Sequence, residues 1–244
     1  MMETPNKIQK RFVVFLDIMG FKDRVARNTP ENLYLELTEF NKDITNIINS
    51  SKKVNIQGLR EQSGESEVAL ISNDEREANI LLAQFSDSIV IFSSDNTKDS
   101  LLNISNVARL IMFSAINREK PIPLKGALAE GNIMCDMPKQ LFFGQALIDA
   151  YLLEENVQYY GVVVHHTAEK SVKSLNNEIF RDTLVPLKSG KINHYELVWY
   201  NESSSDVKTG LERIRLSVSD SPRKYVDNTN NIIDEYANSK AVKS

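Results

Sequence analysis

The pattern of apolar and polar positions starts with a continuous apolar run at residues 12–16, FVVFL, which ends at Asp17. A run without polar interruption is typical of a strand that is covered on both faces, so a buried first strand is predicted here. Gly20 ends this run, and a short helix is predicted over residues 21–27. From Pro30 onwards, apolar residues recur with a period near 3.6, which predicts a long amphipathic helix.

The middle of the chain holds two short apolar runs separated by a polar turn. Residues 80–85 and 89–92 are joined by Ser86-Asp87-Ser88, a pattern typical of a β-hairpin. Before this hairpin, residues 50–78 are polar and keep no sustained period, which favours an insertion or a loop. The later predicted elements are a helix at 101–116, a strand at 124–129, an irregular hairpin at 133–143, a helix at 144–155, strands at 159–165 and 194–200, and helices near 206–217 and 222–238.

The predicted order of elements opens with a βαββαβ unit. Such a unit is ferredoxin-like, with an antiparallel central sheet and helices on one face. We therefore predict an α+β fold with this core in a domain at residues 11–202. A disordered N-terminus at 1–10 would precede it, and a C-terminal helical extension at 203–244 would follow it.

Composition excludes some classes of function without naming one. The 244 residues carry 29 basic and 33 acidic side chains, a formal charge of −4, so no nucleic-acid partner is expected. The single cysteine, Cys135, cannot form an internal disulfide, which fits a reducing cytoplasm. No apolar stretch approaches the ~20 residues that span a bilayer. The polar first residues lack the apolar core of a secretory signal, so neither export nor a membrane partner is expected.

Two aspartates define a candidate site. Asp17 ends the first predicted strand and Asp87 lies in the hairpin turn, and these strands are neighbours in a βαββαβ sheet. Two carboxylates at one spot repel each other unless a proton or a cation lies between them. Mg²⁺ or Mn²⁺ suits such oxygen ligands, and two metals about 4 Å apart can support phosphoryl transfer. Each aspartate could instead simply end its strand, as turn aspartates often do.

Four segments resemble the catalytic domain of class III nucleotidyl cyclases. In chain order they are DIMGF at 17–21, FSDS at 85–88, KGALAEG at 125–131 and FG at 143–144. The versions FLDIMGF, FSDS and FFGQALIDAYLLE are most similar to the Pycsar anti-phage pyrimidine cyclases, bacterial enzymes that make cyclic UMP or cyclic CMP. The resemblance spans roughly residues 11–200 and implies the fold of that catalytic domain.

The resemblance also implies a metal and triphosphate site. Asp17, Asp87 and the carbonyl of Ile18 would hold two Mn²⁺ or Mg²⁺ ions in each active site. Helix N-termini bind anions well, so the start of the first helix would receive the triphosphate. The cradle would consist of four consecutive backbone amides, those of Met19, Gly20, Phe21 and Lys22.

Two further cationic positions follow from the same resemblance. Lys125 would bind the triphosphate and neutralise charge on the departing pyrophosphate, although a solvated lysine at a strand end remains an alternative. Lys191 or His194 would match the second phosphate-binding lysine of the family.

The departures from the family bear on the substrate base and on catalysis. Purine cyclases carry base-selecting polar residues at the positions of Ala83 and Leu141, so their loss favours a pyrimidine, with UTP preferred over CTP. The transition-state Asn and Arg of the family are replaced by Ile148 and Leu152. Another residue, Arg109 or Arg24 among them, would have to supply the positive charge, or the protein is a poor catalyst.

The sequence thus predicts a cytoplasmic, homodimeric pyrimidine nucleotide cyclase with active sites at the dimer interface. The resemblance implies that its cyclic product acts on a separate cyclic-nucleotide-responsive effector in anti-phage defence. Two alternatives remain open: a non-catalytic nucleotide sensor with a cyclase fold, and another palm-type phosphoryl-transfer enzyme.

Overall fold

The computed structural model describes residues 8–63, 80–201 and 203–241. Within these ranges, strands and helices follow one another through one mixed sheet and its covering helices. The elements are β1 (Gln9–Ile18), α1 (Phe21–Arg27), α2 (Pro30–Ser63), β2 (Leu81–Phe85), β3 (Ser88–Phe92), α3 (Lys98–Asn117), β4 (Leu124–Asp136), β5 (Leu141–Phe143), α4 (Gln145–Glu154), β6 (Val162–Val164), α5 (His166–Leu175), β7 (Phe180–Leu187), β8 (Gly190–Leu197), α6 (Ser204–Ser217) and α7 (Ser221–Ala241).

The sheet has the strand order β2-β3-β1-β4-β6-β8-β7, and β5 pairs with the far end of β4. The first four strands in this order are antiparallel to their neighbours, and β4 and β6 are parallel. The order β2-β3-β1-β4 is that of a ferredoxin-like unit, so the predicted α+β fold class and its core are confirmed.

Both faces of β1 are covered, as its uninterrupted apolar run predicts. Phe12 and Leu16 lie in a core cluster with α2 and α3, whereas Val13 and Phe15 lie in a second cluster with α4. Alternate strand residues point to opposite faces, so the single apolar run supplies both clusters. Helices therefore cover both faces of the sheet, where the sequence predicts helices on one face.

Two predicted segment boundaries differ from the structure. β1 already begins at Gln9, although residues 1–10 are predicted to be disordered; residues 1–7 lie outside the described part. The long β4 explains the earlier start, because Gln9 pairs with Ile133 and Lys10 Nζ lies 2.7 Å from Glu130 Oε1. α2 continues to Ser63, into the segment predicted as an insertion or loop, and residues 64–79 lie outside the description.

Two elements between the predicted strands at 159–165 and 194–200 are absent from the sequence-based prediction. α5 buries only Ala168 and Val172, so its apolar stripe is too narrow to stand out. β7 contains Pro186, which is tolerated because β7 is the edge strand of the sheet.

The two predicted C-terminal helices are present as α6 and α7. Leu211 and Ile214 of α6, and Val226 and Ile233 of α7, belong to the same core cluster as α3. These helices are therefore packed onto the main core. Among the described residues, no helix combines the length and apolar character needed to cross a membrane.

Candidate active site

The two aspartates predicted from the sequence meet at one end of the β1–β3 pair. Asp17 lies opposite Ser88 in the strand register, so Asp87 is the next residue towards the turn. The Ile18 amide donates a hydrogen bond to the Asp87 carbonyl oxygen at 2.9 Å, which ties the turn to β1. The structure thus places both carboxylates at the same end of these two neighbouring strands.

The electrostatics of Asp17 reflect this crowding. Burial raises the pKa of the Asp17 carboxyl above its ordinary value, and the neighbouring charge of Asp87 raises that pKa further. The Lys125 ammonium opposes both effects. A cation placed between the two carboxylates would relieve their repulsion, because it favours the ionised form of each.

Lys125 lies beside Asp17 and is buried. It is directly opposite Asp17 in the β1–β4 register, and only 7% of it is exposed. Its Nζ donates a hydrogen bond to the Glu154 carbonyl oxygen at 3.0 Å and lies 2.8 Å from Glu154 Oε1. Lys125 is therefore committed to the end of α4, and it is not the solvated strand-end lysine that the sequence left open.

Gly126 allows β1 and β4 to approach closely beside this lysine. A Cβ at Gly126 would lie 2.4 Å from the Phe15 carbonyl oxygen and 2.6 Å from a methyl carbon of Leu16. Any side chain here would push β4 away from β1. The position of Lys125 next to Asp17 therefore depends on this glycine.

Glu154 is a site residue that the sequence-based prediction missed. It is the last residue of α4 and is 3% exposed. Burial raises the pKa of its carboxyl and the charge of Asp17 adds to that effect, whereas Lys125 lowers the pKa. A signal was available, since Ala146, Ala150 and Glu154 recur every four residues on the buried face of α4.

The predicted phosphate cradle is only partly free to donate. The Met19 amide donates to the Pro123 carbonyl oxygen at 2.9 Å, so we leave it out of the cradle. Gly20 has φ 73°, a left-handed conformation that glycine adopts without strain, and a Cβ there would meet nothing within 4 Å. The amides of Phe21 and Lys22 belong to the first turn of α1, where no intrahelical acceptor exists.

The positions matched to base selection carry no polar side chain atoms. Ala83 lies on β2 opposite Val90 and packs against the second core cluster. Leu141 is the first residue of β5 and is 52% exposed. Neither side chain can form a hydrogen bond to the edge of a bound base.

Lys191 lies far from the aspartates of its own chain. Gly126 of β4 pairs with Val162 of β6, and Val162 pairs with Leu197 of β8, so Gly126 and Leu197 lie at the same height in the sheet. Lys191 is six residues from Leu197 along β8, in the direction that leads away from Asp17. At about 3.3 Å per residue this places it roughly 20 Å along the sheet. Its Nζ contacts Glu235 Oε1 at 3.2 Å. His194 lies on the same strand, between these two levels.

Neither arginine suggested as a catalytic cation is directed to the site. Arg109 donates to the Val198 carbonyl oxygen and to the Asn201 side chain, both at 2.7 Å. Arg24 donates to the Glu36 carboxylate and to the Pro121 carbonyl oxygen. Both guanidinium groups are used to join segments of the fold.

The donor set suits a hard divalent cation. Across the described ranges, no three His, Cys, Asp or Glu side chains come together as a complete metal site. Magnesium is commonly bound by one or two carboxylates together with substrate phosphates, and two carboxylates with unrelieved repulsion match that requirement. Asp17 and Asp87, with the Ile18 carbonyl, would hold the metal.

Comparison with solved structures identifies the fold. The chain is similar to the catalytic core of a rhodopsin-guanylyl cyclase with converted specificity in complex with ATPalphaS, with a TM-score of 0.57, 13% identity and coverage of 78% of this chain and 95% of that one. The guanylate cyclase domain of RhGC from Catenaria anguillulae in complex with GTP gives a TM-score of 0.53 at 13% identity, covering 78% and 96%. The adenylyl cyclase CyaB from P. aeruginosa gives 0.52 at 14% identity, covering 79% and 95%.

These likenesses show that the chain has the fold of adenylyl and guanylyl cyclase catalytic domains. No sequence-family profile matches the chain, and no curated protein matches it.

Proposed function

We propose that the protein is a metal-dependent nucleotide cyclase that converts UTP or CTP to the 3′,5′-cyclic monophosphate and pyrophosphate. The observation that carries this proposal is the meeting of Asp17 and Asp87 at the edge of a sheet with a cyclase fold. Burial and the charge of Asp87 raise the pKa of the Asp17 carboxyl, and a cation bound between the two side chains would relieve this repulsion.

In the proposed reaction, the ribose 3′-oxygen forms a bond to the α-phosphorus, and the bond from that phosphorus to pyrophosphate breaks. The 3′-hydroxyl proton passes to solvent. Bound divalent metals supply Lewis acidity for the attacking and leaving oxygens. Asp17 and Asp87 fix where the cations lie, and the amides that follow Gly20 orient the triphosphate.

A pyrimidine substrate is supported by the two apolar positions, Ala83 and Leu141. Purine cyclases of the family that the sequence resembles carry hydrogen-bonding side chains at these two positions, and the proposal of a pyrimidine rests on their replacement here. The small Ala83 side chain and the exposed Leu141 side chain offer apolar contact alone. We propose UTP as the preferred substrate and CTP as the second.

We further propose that two copies share each active site. The helix α4, which ends beside the site, exposes the large apolar side chains Ile148, Tyr151 and Leu152, and β5, at the far end of β4, exposes Leu141 and Phe143. An exposed apolar surface of this kind is typical of a subunit contact. Pairing would let one copy supply Asp17 and Asp87 while the other supplies Lys191, which lies far from the aspartates of its own chain.

The cellular role follows from the same proposal. A cyclase that uses UTP or CTP would act in the cytoplasm, where these nucleotides are made. Its cyclic product would signal to a separate effector that binds cyclic nucleotides, as part of bacterial defence against phage.

Turnover of each of the four nucleoside triphosphates with Mn²⁺ tests the proposal, with products identified by mass spectrometry. Asp17→Asn and Asp87→Asn should each lower turnover by at least about 100-fold, since each removes a metal-binding charge. Asp99→Asn is the matched control, because Asp99 is an exposed acid in the first turn of α3. Full activity in either site variant would overturn the assignment.

A nucleotide sensor without turnover is the second candidate. It is favoured by Ile148 and Leu152 at the positions of the transition-state residues, and by the engagement of Arg24 and Arg109 elsewhere. Tight Mn²⁺-dependent UTP or CTP binding with no product would support the sensor. Extension of a nucleic-acid primer would instead indicate a palm-type polymerase.

A further inference from the structure

A buried acid at the end of α4 lies beside the candidate metal site formed by Asp17 and Asp87. Glu154 contacts Lys125 through both its side chain and its backbone carbonyl, at 2.8 Å and 3.0 Å. Lys125 in turn lies opposite Asp17 across the β1–β4 pair. A row of four charged groups therefore runs from the two acids, Asp87 and Asp17, through Lys125 to Glu154.

We propose that Glu154 is a positioning residue for the metal site: it anchors the Lys125 ammonium beside Asp17 and cancels its charge towards incoming cations. This inference rests on the metal-binding part of the proposed function. It assigns to Lys125 a role beneath Asp17, in place of direct contact with the triphosphate.

The position of the lysine is set by two acceptors on one residue. The Glu154 carbonyl is at the C-terminal end of α4, where carbonyl groups carry partial negative charge, and it accepts hydrogen bonds from the Val157 amide and from Lys125 Nζ, both at 3.0 Å. The side-chain carboxylate adds a full charge at the same place. Both acceptors hold Nζ at the end of α4, while the register of β1 and β4 keeps Lys125 opposite Asp17.

The net charge of the group formed by Asp17, Asp87, Lys125 and Glu154 depends on Glu154. When ionised, the four groups are three carboxylates and one ammonium, with a net charge of two negatives. Without the Glu154 carboxylate, the ammonium cancels one of the two aspartates. A nearly buried lysine acts through a medium of low effective dielectric, so its repulsion of a divalent cation is not well screened by water.

Mn²⁺ binding to the purified protein, followed by electron paramagnetic resonance of the free ion, tests this role without requiring turnover. Glu154→Gln keeps the size of the side chain and removes its charge. We expect Mn²⁺ affinity to fall by about tenfold, the effect of one uncompensated charge at a partly shielded site. Folding of each variant is checked by circular dichroism.

The double variant K125M/E154Q is the decisive comparison. It removes both charges of the pair, and Mn²⁺ affinity should return to within about twofold of the wild type. An unchanged affinity in E154Q would overturn the proposal. A double variant as weak as E154Q would also overturn it, because Glu154 would then act independently of Lys125.

Glu130→Gln is the matched control. Glu130 is another buried acid, 5% exposed, paired with Lys10 at 2.7 Å on β4 but five residues from Lys125. Its neutralisation should leave Mn²⁺ affinity unchanged. Should E154Q not fold, the wild type is compared with K125M/E154Q, which has the same net charge at the site: affinities within about twofold support the proposal, and a tenfold loss contradicts it.

Failure of the proposed cyclase function can be distinguished from failure of the role proposed for Glu154. Mn²⁺ binding that needs Asp17 and shows the rescue pattern, without turnover of any nucleotide, would refute the cyclase but keep the role of Glu154. Nucleotide turnover together with unchanged Mn²⁺ binding in E154Q would support the cyclase and refute the role of Glu154.

Discussion

Two ion pairs in the described part of the chain, each with a buried glutamate, differ in what surrounds them. Glu154 pairs with Lys125 at the edge near Asp17, and Glu196 of β8 pairs with Arg181 of β7 at 2.7 Å. Both glutamates are almost inaccessible, with 3% and 0% exposure. Burial and pairing alone therefore do not distinguish a functional group from a structural one.

The Arg181–Glu196 pair has further polar and aromatic contacts around it. Tyr200 donates to Glu196 at 2.9 Å and Tyr159 donates at 3.3 Å. The Arg181 guanidinium lies over the ring of Tyr236 and donates to the Ile232 carbonyl oxygen at 3.3 Å. This pair holds α7 onto the sheet, and its charges balance locally.

The Lys125–Glu154 pair lies beside two more carboxylates, those of Asp17 and Asp87, and its surroundings keep an excess of negative charge. Under the proposed function, the excess of negative charge beside Lys125 and Glu154 serves to bind a cation, whereas the locally balanced Arg181–Glu196 pair serves as a structural anchor.

The largest effect on stability is expected at the balanced pair. Arg181→Met leaves Glu196 buried without its cation and should lower the unfolding free energy by about 3 kcal/mol. Urea denaturation measures this loss. Nucleotide turnover per folded molecule should stay unchanged, and a loss of stability below about 1 kcal/mol would mean that the pair is not an anchor.

The pH dependence of the unfolding free energy should also report on the Arg181–Glu196 pair. Burial raises the pKa of Glu196 to about 7, above its ordinary value of 4.5, and Arg181 opposes this shift. The folded state thus binds more protons, so the stability that this carboxyl contributes is complete in acid and lost as the pH rises towards 7 and above.

Urea denaturation across this range, compared with Glu196→Gln, isolates the effect. The stability of the wild type relative to the variant should fall between about pH 4.5 and pH 7, by a few kcal/mol at most. A difference that is flat with pH would show that Glu196 does not titrate in this window.

A smaller loss of stability with rising pH is expected from Asp17. The pKa of Asp17 is raised, so its stability contribution is lost as the pH rises through that raised value. Asp17→Asn cannot ionise and should stabilise the metal-free protein at neutral pH by under about 1 kcal/mol, because solvent screens this partly exposed group. The gain should vanish in acid.

Added Mn²⁺ should separate the two regions. It should raise the melting temperature of the wild type and of Arg181→Met, since ligands that bind the native state stabilise it. It should not stabilise Asp17→Asn. Equal stabilisation of all three proteins would indicate that Mn²⁺ binds elsewhere.

Local patterns predicted the part of the fold that holds the aspartates. The apolar run before Asp17 and the paired runs around Asp87 encode strands directly, and their neighbouring positions follow from the βαββαβ order. Glu154 was also within reach of prediction, because an acid on the buried stripe of α4 needs a partner.

Other features depend on contacts between distant segments. The Met19 amide is occupied by Pro123, and Lys125 is held by Glu154, which no local pattern shows. α5 and β7 have narrow or interrupted apolar patterns, and they depend on packing against other elements, α5 on β4 and α3, and β7 on β8. The position of Lys191, far from Asp17, likewise follows only from the register of β6 and β8.

Competition among nucleotides tests the central claim most directly. The purified protein is incubated with Mn²⁺ and an equal mixture of ATP, GTP, CTP and UTP, and all cyclic products are identified by mass spectrometry. We predict that cyclic UMP or cyclic CMP predominates and that Asp87→Asn forms neither. Predominance of cyclic AMP or cyclic GMP, or the absence of any cyclic product, would contradict a pyrimidine nucleotide cyclase.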